Sequence, residues 1–464
     1  MVCRKKEPSA RLEIKKLAMK KNFLLSLILL FCPPGSAEEE SQLSGENHNG
    51  AQKSEKKEKP EAVLPLEDLR VFAESFKRIK SSYVDEITDQ DLLIFAIKGM
   101  LAELDPHSAY LDKEAIKDFE ESATGNYGGL GIEITKEQNF IKVISPIDDT
   151  PASRAGIESG DLITNLDGTS VKGMSISDAV KLMRGEPETK IAITIMKKRT
   201  AEIINLRLTR QMVRVSSVRQ RYLEEGFGYL RIAQFQARTA QEVREAIIKL
   251  KDSGDLDGLI IDLRNNPGGI LRASVDVADT FLDKGLIVYT SGRLQESKKS
   301  YEARPGDMIS GIPIVTLVNE GSASASEILA GALQDQERAI VIGTNTFGKG
   351  SVQTVVPITE TRAVKLTTAR YFTPNGRSIQ AEGIIPDINV PRHRVTSLNR
   401  STLKISEKNL SGHLANKKSG NEKVDREAKK EDSDLVYRDF QLYQALNVLT
   451  ALHKLNTKPR TDDP

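Results

Sequence analysis

The hydrophobic rhythm of the chain changes several times along its length. From Phe23 to Cys32 the residues are apolar but for one serine (FLLSLILLFC), whereas residues 38–62 are polar with few apolar positions and read as a solvated tether. Between Leu66 and Leu104 apolar side chains return at helical spacing. LEDLRVFAESFKRIKSSYV places Leu69, Phe72, Phe76 and Ile79 on one face, and DQDLLIFAIKGMLAEL predicts a second helix that stops at Asp105-Pro106. Beyond residue 123 the period shortens to two, with strand-like runs GIEI, FIKVI, DLITNLDG and KIAITIMK. Two helical pieces interrupt them, near Pro151–Ala155 and Ser177–Leu182.

From residue 211 to 392 strand and helix patterns alternate. GYLRIAQF, LDGLIIDL, GLIVYTS, PIVTLVN and AIVIGTN read as strands; 239–254, 273–282 and ASEILAGALQD read as helices. Such alternation predicts a layered α/β core. Residues 393–435 are polar and Lys-rich, and YRDFQLYQALNVLTALHKL closes the chain as a helix with Phe440, Leu442, Leu446, Leu449 and Leu452 apolar. The whole is a multidomain α/β chain. Its expected divisions are 1–37, a polar linker 38–62, a small N-terminal helical domain 63–123, a β-rich module 124–210, the core 211–392, a polar linker 393–435 and a C-terminal helical tail 436–464.

Composition narrows the function classes. The net charge is +2, and there is no Trp. Interspersed charges and few aromatics give no case for nucleic acid. Lys15, Lys16, Lys20 and Lys21 precede the apolar run, and Gly35-Ser36-Ala37 follows it. That order reads as an export signal with cleavage after Ala37, or from Met19 as a compact opening MKKNFLL. Spanning a bilayer takes about 20 apolar residues, so the run is short for a membrane anchor, the role it would have if left uncleaved. The expected location is therefore the periplasm or cell envelope. Both cysteines, Cys3 and Cys32, lie in or before the signal. The remainder has no disulfide, thiolate metal site or cysteine nucleophile, and no cofactor or metal is expected.

The chemistry concentrates in three stretches. VNEGSASASEILAGALQDQ carries Ser322, Ser324 and Ser326 at a strand-to-helix junction. A side chain there sits over unpaired backbone N–H groups and the positive end of the helix, which suits a nucleophile or, more simply, a helix cap. GTNTFGKGSVQ supplies Lys349 between two glycines. It fits a general base whose amine is neutralised by burial. It also approximates a phosphate loop, but Gly350 stands where that motif needs Ser or Thr. In DLRNNPGG, Gly268 and Gly269 follow a buried strand and could expose N–H groups to a ligand, or simply form a turn.

Taken in order, GYLRI, DLRNNPGG, SASASE, TFGKGSVQ and FTPNGRSIQAEGIIPDINV resemble the carboxyl-terminal processing peptidases, or tail-specific proteases, over residues 65–392. LDPHSAYL at 104–111 is a landmark of the same family. The module with DTPASRAGIESGDLITNLDGTSV resembles a PDZ domain, a half-open β-barrel. The resemblance implies a ClpP/crotonase-like serine protease core with Ser324 as nucleophile, Lys349 as general base and Gln353 orienting the lysine. It implies an oxyanion hole from Gly268 or Gly269 with Ala325, and carboxylate capture by Gly129, Leu130, Gly131 and Ile132. It also implies protein substrates with apolar C-terminal tails, and gating through Arg184. Asp335 matches a position implicated in activity, with an ion pair to Arg338 as its simpler role. The five histidines then need no part in catalysis; His107 alone lies in a motif, where it is structural. A non-catalytic PDZ scaffold is the competing class, and a homodimer through the helical segments is compatible with the pattern. The substrate strand is expected to add to the sheet edge near GYLRIAQF.

Overall fold

The computed structural model describes residues 65–396 and 435–457; the export signal and both polar linkers fall outside or mostly outside them. Two units divide at residue 73. The described part of the first is the opening of the helix Leu66–Ser82, whose first turn carries Glu67 and Asp68. No residue of this helix is buried, and Leu69, Phe72 and Ile79 are each over 40% exposed at 43%, 47% and 47%. The predicted helix is present, but its apolar face covers no core.

The PDZ module is built on a sheet in which Ile132–Glu137 lies at one edge, followed by Phe140–Pro146, Leu162–Leu166, Lys190–Met196 and Ile203–Thr209. Alternation turns Ile141, Val143, Ile163, Ile191, Ile193 and Ile195 inward, where they pack with Ala179 and Met183 of the helix Ile176–Met183. A separate ribbon, Asn126–Gly129 with Gln211–Arg214, joins the two ends of the module.

The α/β core centres on a six-stranded sheet. Its order is Val218–Glu224, Phe227–Ile232, Gly258–Asp262, Ile314–Val318, Ala339–Gly343 and Ile388–Asn389, all parallel after the first antiparallel pair. The strands Gly258–Asp262 and Ile314–Val318 are buried at every position, as strands covered on both faces must be. Helices Thr239–Ser253, Leu271–Asp279 and Ala325–Asp335 pack into the main core, while Phe440–Thr457 sets Leu442, Leu446 and Leu449 against Ile260, Val315 and Leu317 in a second cluster. GYLRIAQF therefore supplies an interior strand and no free edge: Val218–Glu224 folds back antiparallel and occupies that side. A second sheet carries a hairpin, Ser351–Thr359 with Arg362–Phe372, to which no element was assigned from the pattern. The LDPHSAYL motif contributes its strand, Ala109–Leu111, paired to Arg362–Phe372.

Candidate active site

Two parallel strands end side by side, and their following loops face one another. Ligand crevices of open α/β sheets lie at this carboxyl edge. After Gly258–Asp262 the chain runs through DLRNNPGG; after Ile314–Val318 it runs through NEGSAS into the helix Ala325–Asp335. The outer serines tie the second loop to the first. Buried Ser322 donates to the Leu263 carbonyl at 2.8 Å, and buried Ser326 donates to the Asn266 carbonyl at 2.9 Å.

Ser324 stands between them at φ 56°, ψ −114°. A non-glycine residue there is strained, and such strain persists only where surrounding contacts over-determine it. The contact that holds it is Glu327, which is wholly buried. Its carboxylate accepts from the Ser324 N–H at 2.7 Å, the Thr346 hydroxyl at 2.6 Å, and the N–H groups of Gly348 at 2.6 Å and Lys349 at 2.9 Å. One carboxylate thus fixes the backbone of both SASASE and TFGKG. Burial pushes the Glu327 carboxyl above the usual range, and these four hydrogen bonds oppose the shift. Glu327 was missed as a site residue, although the spacing S-x-x-E after Ser324 is the signature of a capping box.

Ser324 and Lys349 line one cavity of about 370 Å³ with Phe119, Ile270, Lys365 and Tyr371. Among the described residues the Lys349 ammonium has no hydrogen-bond or ion-pair partner; only its backbone N–H is bonded, to Glu327. Burial, then the Lys365 charge, lowers the Lys349 pKa from its usual value of 10.5; Glu327 pulls the other way. The Tyr371 hydroxyl is buried without a hydrogen-bond partner of good geometry; burial, then the Glu327 charge, pushes its pKa up, and the Ser324 side chain opposes the shift.

A family model described as "Peptidase family S41" matches residues 226–390, a "PDZ domain" model 142–197, and an "Activating protease CtpB N-terminal domain" model 34–115. A carboxy-terminal-processing protease of Bartonella bacilliformis is 45% identical over 352 residues, covering 75% of this chain and 81% of that one. The chain belongs to the carboxy-terminal-processing proteases of peptidase family S41. A carboxyl-terminal-processing protease of Synechocystis is 35% identical over 353 residues, covering 71% of this chain and 82% of its own length. The solved photosystem II D1 C-terminal processing protease shares 32% identity over 71% of this chain and 94% of its own, with a TM-score of 0.42. The protein is accordingly a serine-type peptidase of mixed α/β architecture that carries a PDZ module.

The remaining expected residues of the protease fall as follows. The Gly269 and Ala325 N–H groups have no partner among the described residues, but the Gly268 N–H donates to Asn266 Oδ1 at 2.9 Å. Gly268 has φ +98°, and a Cβ there would lie 2.7 Å from Ser324 Cβ, so no side chain fits beside the serine. Gln353 lines the cavity, yet its amide donates to Ser351 at 2.8 Å and to Thr367 at 3.5 Å, not to Lys349. Thr367 in turn donates to Asp105 at 3.1 Å, which ties LDPHSAYL to the hairpin Ser351–Thr359 with Arg362–Phe372. His107 lies close enough to Lys349 and Lys365 that, after burial, their charges lower its pKa. Asp335 pairs with Arg377 and accepts from the Asn375 N–H, while Arg338 bonds Asp307 at 3.0 Å; the expected Asp335–Arg338 pair is not made. In the PDZ module Leu130 is buried and Gly131 (φ +76°) turns against Thr150, next to the edge strand Ile132–Glu137. Arg184 donates to Glu121 at 3.2 Å and stacks over the Tyr127 ring at 4.4 Å.

Proposed function

We propose that the protease captures apolar C-terminal tails in its PDZ module and hydrolyses an upstream peptide bond with a Ser324–Lys349 dyad. The observation that carries this reading is the Glu327 clamp, which bonds the backbone of both residues beside a cavity holding a half-buried, unpaired lysine. The neutral Lys349 amine takes the Ser324 proton as the hydroxyl attacks the carbonyl carbon, then returns it to the departing peptide amine. The oxyanion is received by the N–H groups of Gly269 and Ala325, the second at the positive end of a helix. Gln353, held in the cavity wall by Ser351 and Thr367, orients Lys349. Phe119, Ile270, Leu271 and Ile328 line the cavity and favour an apolar side chain at the cut.

Tail capture rests on the loop Gly129–Ile132, with the peptide adding as a strand beside Ile132–Glu137. Arg184 links this module to the helix Lys113–Thr124, whose Phe119 and Ala123 line the cavity. Export by the N-terminal signal, and pairing of two copies through the exposed Leu69, Phe72 and Ile79 face, complete the reading. The test is cleavage of an unstructured substrate with an apolar tail. Ser324→Ala and Lys349→Ala should each leave it intact while still binding the tail; equal inertness of the wild type would leave a PDZ scaffold.

A further inference from the structure

The charge of the cleft is one-sided. Among the described residues its charged lining is Lys349 and Lys365, with no Asp or Glu. The carboxylates whose charges bear on Lys349 and His107, Glu327 and Asp105, are already committed. Glu327 holds its four donors, and Asp105 accepts from the N–H groups of His107 and Ser108 and the hydroxyls of Ser108 and Thr367. His107, the other titratable group on that side, is biased toward its neutral form, so it neither adds a cation nor cancels one. Lys365 itself is half-buried and makes no hydrogen bond or ion pair among the described residues.

The hairpin register fixes where Lys365 points. Gln353 pairs with Thr367 and Val355 with Lys365, and period-two alternation puts Gln353, Thr367 and Lys365 on the same face. That face borders the cleft. The hairpin begins at Ser351, two residues after Lys349. If Lys349 hands its proton to the departing amine, the hairpin flanks the leaving-group side of the scissile bond. A cation held in a partly desolvated cleft with no counter-charge among the described residues is a cost unless the ligand supplies one.

We propose that Lys365 is a specificity determinant that binds a carboxylate of the substrate on the leaving-group side of the cut. This rests on the dyad reading above. The carboxylate belongs either to an Asp or Glu side chain or to the terminal α-carboxylate of a short tail.

The experiment uses the full chain and internally quenched peptides of one apolar sequence with amidated ends, carrying Glu, Gln or Lys within three residues after the cut. A fourth peptide has Gln there and a free α-carboxylate. Wild-type kcat/KM should fall from Glu to Gln to Lys, with about tenfold between the first two, as a charge-assisted hydrogen bond gives. The preference should shrink with salt. Lys365→Gln should flatten the Glu:Gln ratio and Lys365→Glu should invert the Glu:Lys order. A uniform loss across all peptides would reflect only the base's pKa and leaves the ratios unchanged, which overturns the proposal. So does a wild type without charge preference, a result that needs no variant to fold. A free α-carboxylate that matches Glu, and loses that advantage in Lys365→Gln, identifies the chain end as the source. Cleavage of the Gln peptide by the wild type but by neither Ser324→Ala nor Lys349→Ala shows the dyad reading intact whatever the charge result; cleavage by either variant at the wild-type rate would end that reading instead.

Discussion

Glu327 is the residue on which the site turns. Its carboxylate ends four hydrogen bonds in a fully buried position, so Glu327→Ala leaves four donors unpaired. Each orphaned donor costs about 1–3 kcal/mol. Glu327→Ala should therefore lower unfolding free energy by at least about 3 kcal/mol, read by denaturant titration, and kcat by at least about 100-fold. Glu327→Gln keeps the volume but turns one acceptor into a donor; kcat should fall with far less loss of stability. Lys349 makes the second prediction. Burial and Lys365 lower its pKa, and only the neutral amine is a base, so kcat/KM should rise with pH and level off through a midpoint below 10.5. Lys365→Met removes the like charge and should move that midpoint upward. A rate still climbing at about pH 10, where free lysine titrates, would contradict the burial argument.

At the scale of elements the site depends on two loops approaching without side chains between them. A Cβ on Gly268 would lie 2.7 Å from both Ser324 Cβ and the Ala323 carbonyl oxygen. Gly268→Ala should thus cost at least about tenfold in kcat and about 1–3 kcal/mol in stability. Gly156 also has positive φ (+73°) but open space around it. Gly156→Ala should cost about 1–2 kcal/mol with kcat unchanged, which separates backbone strain from crowding beside Ser324. On the far face of the sheet Leu449 is fully buried against the strands. Leu449→Ala should lower stability by about 2–5 kcal/mol in a denaturant titration while the folded fraction keeps its kcat/KM.

For the whole molecule the question is how the PDZ module reaches the cleft. The Arg184–Glu121 pair and the Arg184–Tyr127 stack are partly exposed, with the arginine side chain at 43%. They are worth about 1 kcal/mol or less in stability. Arg184→Ala should accordingly leave the melting temperature nearly unchanged and shrink the ratio of cleavage between substrates with a free and an amidated C-terminus, measured side by side.

Much of this was legible in the chain itself. The helix Ala325–Asp335 begins one residue after Ser324 because Ile328, Leu329, Ala332 and Leu333 are in phase, and the parallel strands declare themselves as short apolar runs closed by polar or Gly-rich turns. Local periodicity and turn chemistry act over a few residues, so these elements, the α/β class, the PDZ module and the family are determined by sequence alone. Long-range pairings are not local. That Glu327 reaches Gly348 and Lys349, that Gln353 turns to Ser351 and Thr367, and that Asp335 meets Arg377 instead of Arg338 depend on loops distant in sequence meeting in space. The same holds for Lys365, an ordinary strand lysine by pattern, which only the hairpin register brings to the cleft beside Ser324 and Lys349, with no counter-charge among the described residues.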